Sequence, residues 1–237
     1  MEGTSTLNDQ LHEAAESGDV AALRGLVASG ADVNHRREEA APGKNAPCLS
    51  AAVIHGRTAA VEFLLASGAD VDASPGEHVG WTALHAAASG GRVEIMGLLL
   101  AAGADVHIMA HHGTPLLSSL GSSANHARGA KLLLLHGARV TDVRGMMCDS
   151  RPLYGAIEYG QRDLVKTFLR AGAEIPKILP PRYLTNCRAE KVAPILDLMA
   201  AIRSAGGWPE YVAKHQRVLA SFVSKLSAKS VVPLDAA

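Results

Sequence analysis

The sequence contains few aromatic residues and has no excess of charge of either sign. Phe, Trp and Tyr make up 4% of its 237 residues, whereas apolar residues make up 48%. A β-sandwich or barrel of this size would use more aromatic and β-branched side chains, while stacked small helices tolerate a chain rich in Ala, Leu and Gly. Lys plus Arg equals Asp plus Glu at 23 each. Because nucleic-acid-binding proteins usually have a basic excess, we expect no nucleic-acid partner.

Cysteine pairs, a basic leader and long apolar runs are missing as well. The cysteines Cys48, Cys148 and Cys187 form no Cys-x-x-Cys pair, which argues against a disulfide framework and favours a reducing compartment. The first residues, MEGTSTLNDQLHEAAESGD, do not place a basic stretch before an apolar run. No apolar stretch approaches the ~18 residues that a membrane-spanning helix needs. We therefore expect a soluble protein of the cytoplasm or nucleus with no membrane partner.

An internal repeat is the most prominent feature that the sequence does have. Five copies end in a Gly-Ala landmark, and the successive glycines are 38, 35, 34 and 35 residues apart. A leucine lies 19 residues before this glycine in four copies and 21 residues before it in the fourth. The nearly constant interval indicates a packed unit, and the variable stretch that follows it indicates a loop. The glycines are Gly30, Gly68, Gly103, Gly137 and Gly172, and the leucines are Leu11, Leu49, Leu84, Leu116 and Leu153.

The third copy indicates that each unit is a pair of helices. Thr82 is a suitable N-cap for a short helix from Ala83 to Ser89, and the following Gly-Gly can end that helix with a positive φ. The segment RVEIMGLLLAAG then has a helical apolar stripe that closes at Gly103. One such pair cannot bury its apolar face alone, whereas five stacked pairs can. Small residues three positions after the leucines predict close helix layers: Ala14, Ala52, Ala87, Ser119 and Ala156.

The segment GWTALHAAASGGRVEIMGLLLAAGADV, from Gly80 to Val106, closely resembles the ankyrin repeat. It shares the Thr-Pro-Leu-His signature in the form Thr-Ala-Leu-His, the glycine between the helices and the closing Gly-Ala-Asp-Val. The resemblance covers residues 8–175. It implies an all-α repeat solenoid of helix–turn–helix units joined by β-hairpin-like finger loops, with a concave face that binds other proteins. We assign residues 1–175 to an array of five repeats and residues 176–237 to a helical tail.

Three departures from the ankyrin pattern lead to further expectations. The first finger is longer than usual, and the fourth unit has two extra residues between its helices, in LGSSANHARGA, which we expect to bulge. The signature histidine is present only at His12 and His85. Ser50, Leu117 and Tyr154 replace it in the other copies, which puts its local hydrogen-bond pattern in doubt there.

The tail reads as a degenerate repeat followed by an amphipathic helix. In RAEKVAPILDLMAAIRSAGG, Pro194 should kink the helix or postpone its start, and Gly206–Gly207 should end it. The apolar stripe that begins at Trp208 predicts a helix that caps the last repeat, and a partner-binding helix is the alternative. PRYLTNCR (Pro181–Arg188) faintly resembles the start of a SOCS box, although its spacing is one residue short. A substrate-recruiting adaptor of a ubiquitin ligase is therefore an alternative function.

No catalytic constellation is visible, so we expect a protein that is not an enzyme and binds no cofactor. There is no Gly-x-Ser-x-Gly elbow, and SGGRVEI lacks the lysine of a phosphate-binding loop. In HIMAHHGTPLLSS, His107 and His111 would share a face on a helix, as zinc-binding histidines do. The repeat register places them instead at the tip of a finger, so we expect no metal there. Metal or ligand binding at the finger tips is kept as an alternative.

We expect a non-catalytic scaffold or adaptor, acting as a monomer, that binds another protein through its fingers and first helices. Trp81 is the strongest single candidate, because tryptophan is favoured in binding hot spots and this position precedes the signature. Met146 and Met147 offer adaptable apolar contacts. The full set of predicted partner-binding residues is Arg36, Arg37, Glu77, His78, Trp81, His107, Met109, His111, His112, Arg144, Met146, Met147 and Tyr159.

Overall fold

The computed structural model describes residues 2–36, 47–74, 81–111, 113–141, 152–173, 189–207 and 209–214. Within these ranges the chain forms helices joined by turns, and residues 209–214 are also helical. The helices are α1 (Glu2–Ser17), α2 (Val20–Ala28), α3 (Cys48–Ile54), α4 (Thr58–Ala66), α5 (Ala83–Ser89), α6 (Val93–Ala101), α7 (Pro115–Ser118), α8 (Ala124–Leu135), α9 (Pro152–Glu158), α10 (Arg162–Arg170) and α11 (Ala189–Ser204).

The helices form consecutive pairs that stack in two layers. The first helices of the pairs, α1, α3, α5, α7 and α9, pack in one row, and the second helices, α2, α4, α6, α8 and α10, pack in the other. No strand occurs in the described ranges, where the sole β pairing is an isolated antiparallel bridge between Ala110 and Gly113. The predicted all-α repeat fold is confirmed.

A single apolar core runs through the stack from Leu11 to Ile202. The five landmark leucines are all buried, and so are the five small residues that follow them. Burying one leucine side chain contributes about 2 kcal/mol, so the repeated leucine is a major stabilising feature of each unit. The small residues face the neighbouring layer, where a larger side chain would hold the helices apart.

The recurring glycine ends each second helix by its backbone conformation. Gly103 has φ +92°, a conformation that is strained for residues with a Cβ atom, although the space around a Cβ there is empty. The N–H of Ala104 donates to the carbonyl of Leu99 at 3.0 Å, and the N–H of Gly103 donates to that of Leu100 at 3.1 Å. This is the Schellman arrangement, which satisfies the last carbonyl groups of α6.

The fourth pair divides its residues differently from the others. Its helices are joined by residues 119–123, whereas residues 90–92 join the third pair, so the extra length lies between the helices as expected. However, α7 is only 4 residues long and α8 has 12, compared with 7 and 9 in the third pair. The change in the fourth pair is therefore larger than the expected local bulge, because α7 is shorter than α5 and α8 is about one turn longer than α6.

The first part of the tail packs on the fifth pair. Helix α11 contacts α9 and α10, and its residues Ile195, Leu198, Met199 and Ile202 join the common core. The helix begins at Ala189 and runs through Pro194, so the proline does not postpone its start. Tyr211 packs against the same core. The predicted capping helix from Trp208 onwards lies mostly outside the described residues.

Candidate functional site

A buried histidine, His85, connects the third finger (described residues 104–111 and 113) to the layer of first helices through a hydrogen bond. The imidazole of His85 lies with Nε2 3.0 Å from the carbonyl oxygen of Gly113 and Nδ1 2.8 Å from the hydroxyl of Thr82. Because a carbonyl can only accept, Nε2 donates to it, and the hydroxyl of Thr82 donates to Nδ1 of the neutral ring. Burial lowers the pKa of His85, and the carbonyl groups of Gly113 and Ile108 oppose that shift. Thr82 thus occupies the expected N-cap position, but its hydroxyl bonds the ring rather than the helix backbone.

A second histidine repeats this contact in the first unit. His12 is buried, and its Nε2 lies 3.3 Å from the carbonyl oxygen of His35, at the start of the first finger. Where serine replaces the signature histidine, at Ser50, the hydroxyl is buried and has no hydrogen-bond partner among the described residues. The doubt raised by the sequence about this copy is therefore justified.

The third finger folds back on itself at its histidines. Ala110 and Gly113 exchange two backbone hydrogen bonds of 3.0 and 2.9 Å, which places His111 in the turn between them. His111 is exposed in this turn, and His107 is exposed on the preceding arm. Met109 is half-buried between them. In the described part of the chain no three His, Cys, Asp or Glu side chains are grouped so that they could hold a metal ion.

A ladder of side-chain hydrogen bonds connects the bases of successive fingers. The N–H of Asp32 donates to Oδ1 of Asn8, in α1, which fixes the base of the first finger to the first helix. Between the first and second fingers, the N–H of Asp70 donates to Oδ1 of Asn34 at 2.8 Å. The amide of Asn34 also donates to the carbonyl oxygen of Gly68 at 3.1 Å. In the next step the N–H of Asp105 donates to both carboxylate oxygens of Asp72, at 3.1 and 3.2 Å. These contacts fix the spacing of the fingers.

Asp72 is the ionisable side chain among the acceptors of this ladder of hydrogen bonds. Burial raises its pKa, and the nearby carboxylates of Asp105 and Asp70 raise it further. The hydrogen bond from the backbone of Asp105 lowers it and only partly offsets these effects. Asn34 holds the equivalent place in the preceding repeat without a charge, so the two positions form a natural comparison.

Trp81 lies where the second finger enters α5. Its side chain is half-buried against the core, and its ring centroid is 5.8 Å from that of His85, with the planes tilted by 42°. The structure thus shows Trp81 packed against the core, and its role in partner binding stays a prediction. Its ring is a fixed, partly accessible apolar element beside the third finger's anchor.

A family model described as "Ankyrin repeats (3 copies)" matches residues 11–110. The matched range begins within α1 and contains α2 to α6 and most of the third finger. Residues 11–110 therefore form ankyrin repeats. The fourth and fifth helix pairs and α11 continue the same stack beyond the matched range. No curated protein matches the sequence. No described helix is both long and apolar enough to cross a membrane.

Ankyrin repeats generally mediate protein–protein interaction. Five of the predicted partner-binding residues lie on the finger side of this array: Arg36, Trp81, His107, Met109 and His111. Seven others are outside the described residues: Arg37, Glu77, His78, His112, Arg144, Met146 and Met147. Tyr159 is in neither set, because it lies in the turn that follows α9, at the far end of the first helix from the fingers.

The turns between first and second helices form the side of the helix array opposite the fingers, which we call the turn edge. It comprises residues 18–19, 55–57, 90–92, 119–123 and 159–161. Here side chains join each repeat to the one before it. Nε of Arg57 donates to the carbonyl of Glu16 at 2.9 Å, and Nη2 of Arg92 donates to that of Ile54 at 2.6 Å. In the fourth repeat Nε2 of His126 donates to the carbonyl of Ser89 at 3.0 Å.

Sequence reasoning missed these turn-edge contacts, although a signal for them existed. A polar residue follows the glycine between the helices in four copies, at Asp19, Arg57, Arg92 and Gln161. Each is the N-cap of its second helix, and the last three reach back to carbonyl groups of the preceding repeat. Those carbonyl groups lie at or beyond the ends of the preceding first helices, where the backbone has no further helical donor.

Gln161 and Tyr159 line a cavity of about 690 Å³ on the turn edge. The cavity lies between the fourth and fifth repeats, and Pro194 of α11 also lines it. Its cationic lining residues are Arg128, Lys131 and Arg162. Tyr159 therefore does not share a surface with the finger residues with which the sequence grouped it.

Leu135 is a further surface residue that sequence reasoning missed. It is 84% exposed at the C-terminal end of α8, which is unusual for so large an apolar side chain. The same position in the other repeats holds Ala28, Ala66, Ala101 and Arg170. Comparison of the copies would have singled it out.

Proposed function

We propose that this protein is a non-catalytic scaffold or adaptor whose protein partner binds the finger surface. By finger surface we mean the described finger residues 31–36, 69–74, 104–111 and 113 together with Trp81 and the first helices beside them. The proposal rests on the tethers from His12 to His35 and from His85 to Gly113. Because they bond finger backbone to buried first-helix side chains, they hold the two kinds of element in a fixed relation, and binding then needs little reordering.

The chemistry of this surface favours a partner of mixed polarity. Trp81 supplies a held aromatic ring, Met109 an adaptable apolar side chain, and His107 and His111 supply exposed polar rings. The fingers carry charges of both signs, as at Arg36 and Asp105, so a polyanion does not suit them. Residues of the second and fourth fingers outside the described ranges belong to the same proposal on sequence grounds.

The test is to identify a direct partner by proximity labelling and measure its affinity for purified variants. We expect His107→Ala combined with His111→Ala, and separately Trp81→Ala, to weaken binding about tenfold or more. A pair of methionine substitutions, Met146→Ala with Met147→Ala, tests the fourth finger. Leu135→Ala is the control, because this exposed residue lies at the end of a second helix.

Trp81 packs against the core, so Trp81→Ala can weaken binding by destabilising the fold, and a thermal melt of this variant separates the two effects. The double histidine substitution changes exposed side chains and should leave stability unchanged. A partner that tolerates all finger variants but is lost on Leu135→Ala would show that the finger surface is not the binding site. No observation among the described residues favours the histidine metal site, and the SOCS-like segment lies outside them.

A further inference from the structure

We propose that the turn-edge cavity between the fourth and fifth repeats is a second binding site, which takes a phosphate monoester on a side chain of a partner protein. The cavity has a volume of about 690 Å³, enough for a phosphorylated side chain and the peptide backbone on either side of it. It lies at the opposite end of the first helices from the fingers. This site does not depend on the finger-surface proposal.

Three cationic side chains line the cavity. Ala124, Ala127, Arg128 and Lys131 recur at three-to-four-residue intervals and so lie along one face of α8, where the alanines leave room between the two cations. Arg162 begins α10 on the other side. The sole acidic side chain among the described lining residues is Asp163, and its carboxylate is already 3.7 Å from the ammonium of Lys166. The lining therefore keeps an excess of positive charge.

The positive charge of the cavity lining is local, and the contact between repeats at this junction does not use it. Elsewhere on the turn edge Arg57 and Arg92 donate to helix carbonyl groups, whereas at this junction the neutral Gln161 makes the corresponding contact. The junction therefore makes its inter-repeat contact without using a cation. The chain as a whole has a formal net charge of zero, so it offers no broad basic face for a nucleic acid. A compact dianion matches a small cluster of cations, and arginine binds phosphate oxygens with two parallel hydrogen bonds.

A buried acceptor indicates that the phosphate is attached to a peptide. The amide nitrogen of Gln161 donates to carbonyl groups of the preceding turn, but its Oε1 is buried and accepts no hydrogen bond from the described residues. A buried acceptor without a donor is unfavourable. The backbone N–H groups beside a phosphorylated serine can donate to this oxygen when the Gln161 side chain turns towards the cavity. The volume of about 690 Å³ leaves room for them beside the phosphate and is more than an inorganic phosphate ion fills.

The experiment is a titration of the ¹⁵N-labelled full chain with N-acetyl-O-phosphoserine N-methylamide. We expect saturable shifts of the amide signals of Gly121, Ser123, Gly160 and Gln161, and none with the unphosphorylated compound. Lys131→Gln combined with Arg162→Gln should raise Kd at least about tenfold, since each removes a charged contact to the phosphate. Both side chains are exposed, so the fold should persist. Arg139→Gln, an exposed arginine that does not line the cavity, should leave Kd unchanged.

Three results would overturn the proposal. The first is the absence of localised shifts, and the second is a Kd that the double variant leaves unchanged. The third is equal affinity for inorganic phosphate, which would rule out a peptide-borne group as the preferred ligand. None of them bears on the finger surface, because its test uses different residues and a different ligand.

Discussion

At the scale of single residues, polar side chains at the finger bases act both as tethers and as titratable groups. Asn34 and Asp72 occupy equivalent places in successive repeats and accept from the equivalent N–H groups of Asp70 and Asp105. Only the asparagine also donates, to the carbonyl of Gly68. The carboxylate instead loses solvation and faces other carboxylates, so the second connection is weaker than the first.

Asp72→Asn should stabilise the protein by about 1 kcal/mol at pH 7, because the new amide can donate to the carbonyl of Gly103 as Asn34 does to that of Gly68. Chemical denaturation measures this difference in stability.

The pKa of Asp72 is raised in the folded state, so the folded state binds a proton more readily and stability is lost as pH rises through that pKa. The advantage of the variant should accordingly shrink in acid. The mirror variant Asn34→Asp should be destabilised, and a gain in stability there would contradict this account.

His85 should make stability depend on pH in the opposite sense. Burial lowers its pKa in the folded state below the ordinary value of 6.5, so the folded state disfavours the proton. Its contribution is complete above pH 6.5 and is lost as pH falls towards the folded-state pKa. We expect the thermal midpoint of the wild type to drop between pH 7 and pH 5.

In His85→Gln the midpoint should be lower at pH 7 but less sensitive to pH, because the buried titrating group is gone. His111→Gln is the matched control, since it changes an exposed histidine of the finger that His85 anchors. An equal loss of pH sensitivity in both variants would show that His85 is not the group responsible.

At the scale of helices, the turn edge shows how one repeat completes the hydrogen bonding of another. The carbonyl of Ile54 lies in the last residue of α3 and finds its donor in Arg92, the N-cap residue of the following repeat's second helix. A cation near a helix C-terminus also interacts favourably with the helix dipole. These contacts add polar bonding between repeats to the apolar packing of the core.

Arg92→Ala should lower the free energy of unfolding by about 1–2 kcal/mol, because the charged donor is lost and the α3 terminus is left without its cation. Urea denaturation provides the measurement. Arg139→Ala, which removes an exposed arginine from a finger base, should change stability by less than about 0.5 kcal/mol. If the two variants proved equally stable, the contact between Arg92 and Ile54 would have no energetic role.

At the scale of the whole molecule, each repeat is stabilised by packing against its neighbours. A repeat at the end of the stack therefore depends most on the element that covers its open face. Helix α11 buries Ile195, Leu198, Met199 and Ile202 in the shared core beside α9 and α10. Without that cover the apolar surface of the fifth pair would face water. We therefore expect α11 to protect the last repeat in particular.

Ile202→Ala should destabilise the protein by about 2–4 kcal/mol, since it leaves a cavity at a fully buried position. In native-state hydrogen exchange the amides of α9 and α10 should lose protection, while those of α1 and α2 keep theirs. Asp197→Ala, an exposed position on the same helix, should have little effect. A uniform loss of protection along the stack would instead indicate that the array unfolds as one cooperative unit.

Much of the fold could be read from the sequence, because each repeat is built from local signals. The helix from Ala83 to Ser89, the end of the next helix at Gly103 and the buried leucines depend on spacing and on glycine's backbone freedom, which recur five times. The fourth unit showed the limit of this reasoning. Its two extra residues were visible, but the change in length of α7 and α8 depends on packing against neighbouring pairs.

The sequence by itself determined the units, their order and the residues that form the core, since these depend on the spacing of residues within a single repeat. Only the tertiary structure decided which polar groups meet across repeats. Arg92 finds the carbonyl of Ile54 38 residues earlier, and Tyr159 lies with Arg128 and Lys131 on the turn edge instead of on the finger surface. Partners of this kind are set by how one repeat packs on the next. The polar residue after the inter-helix glycine marks where such contacts occur, but it does not specify which group is met.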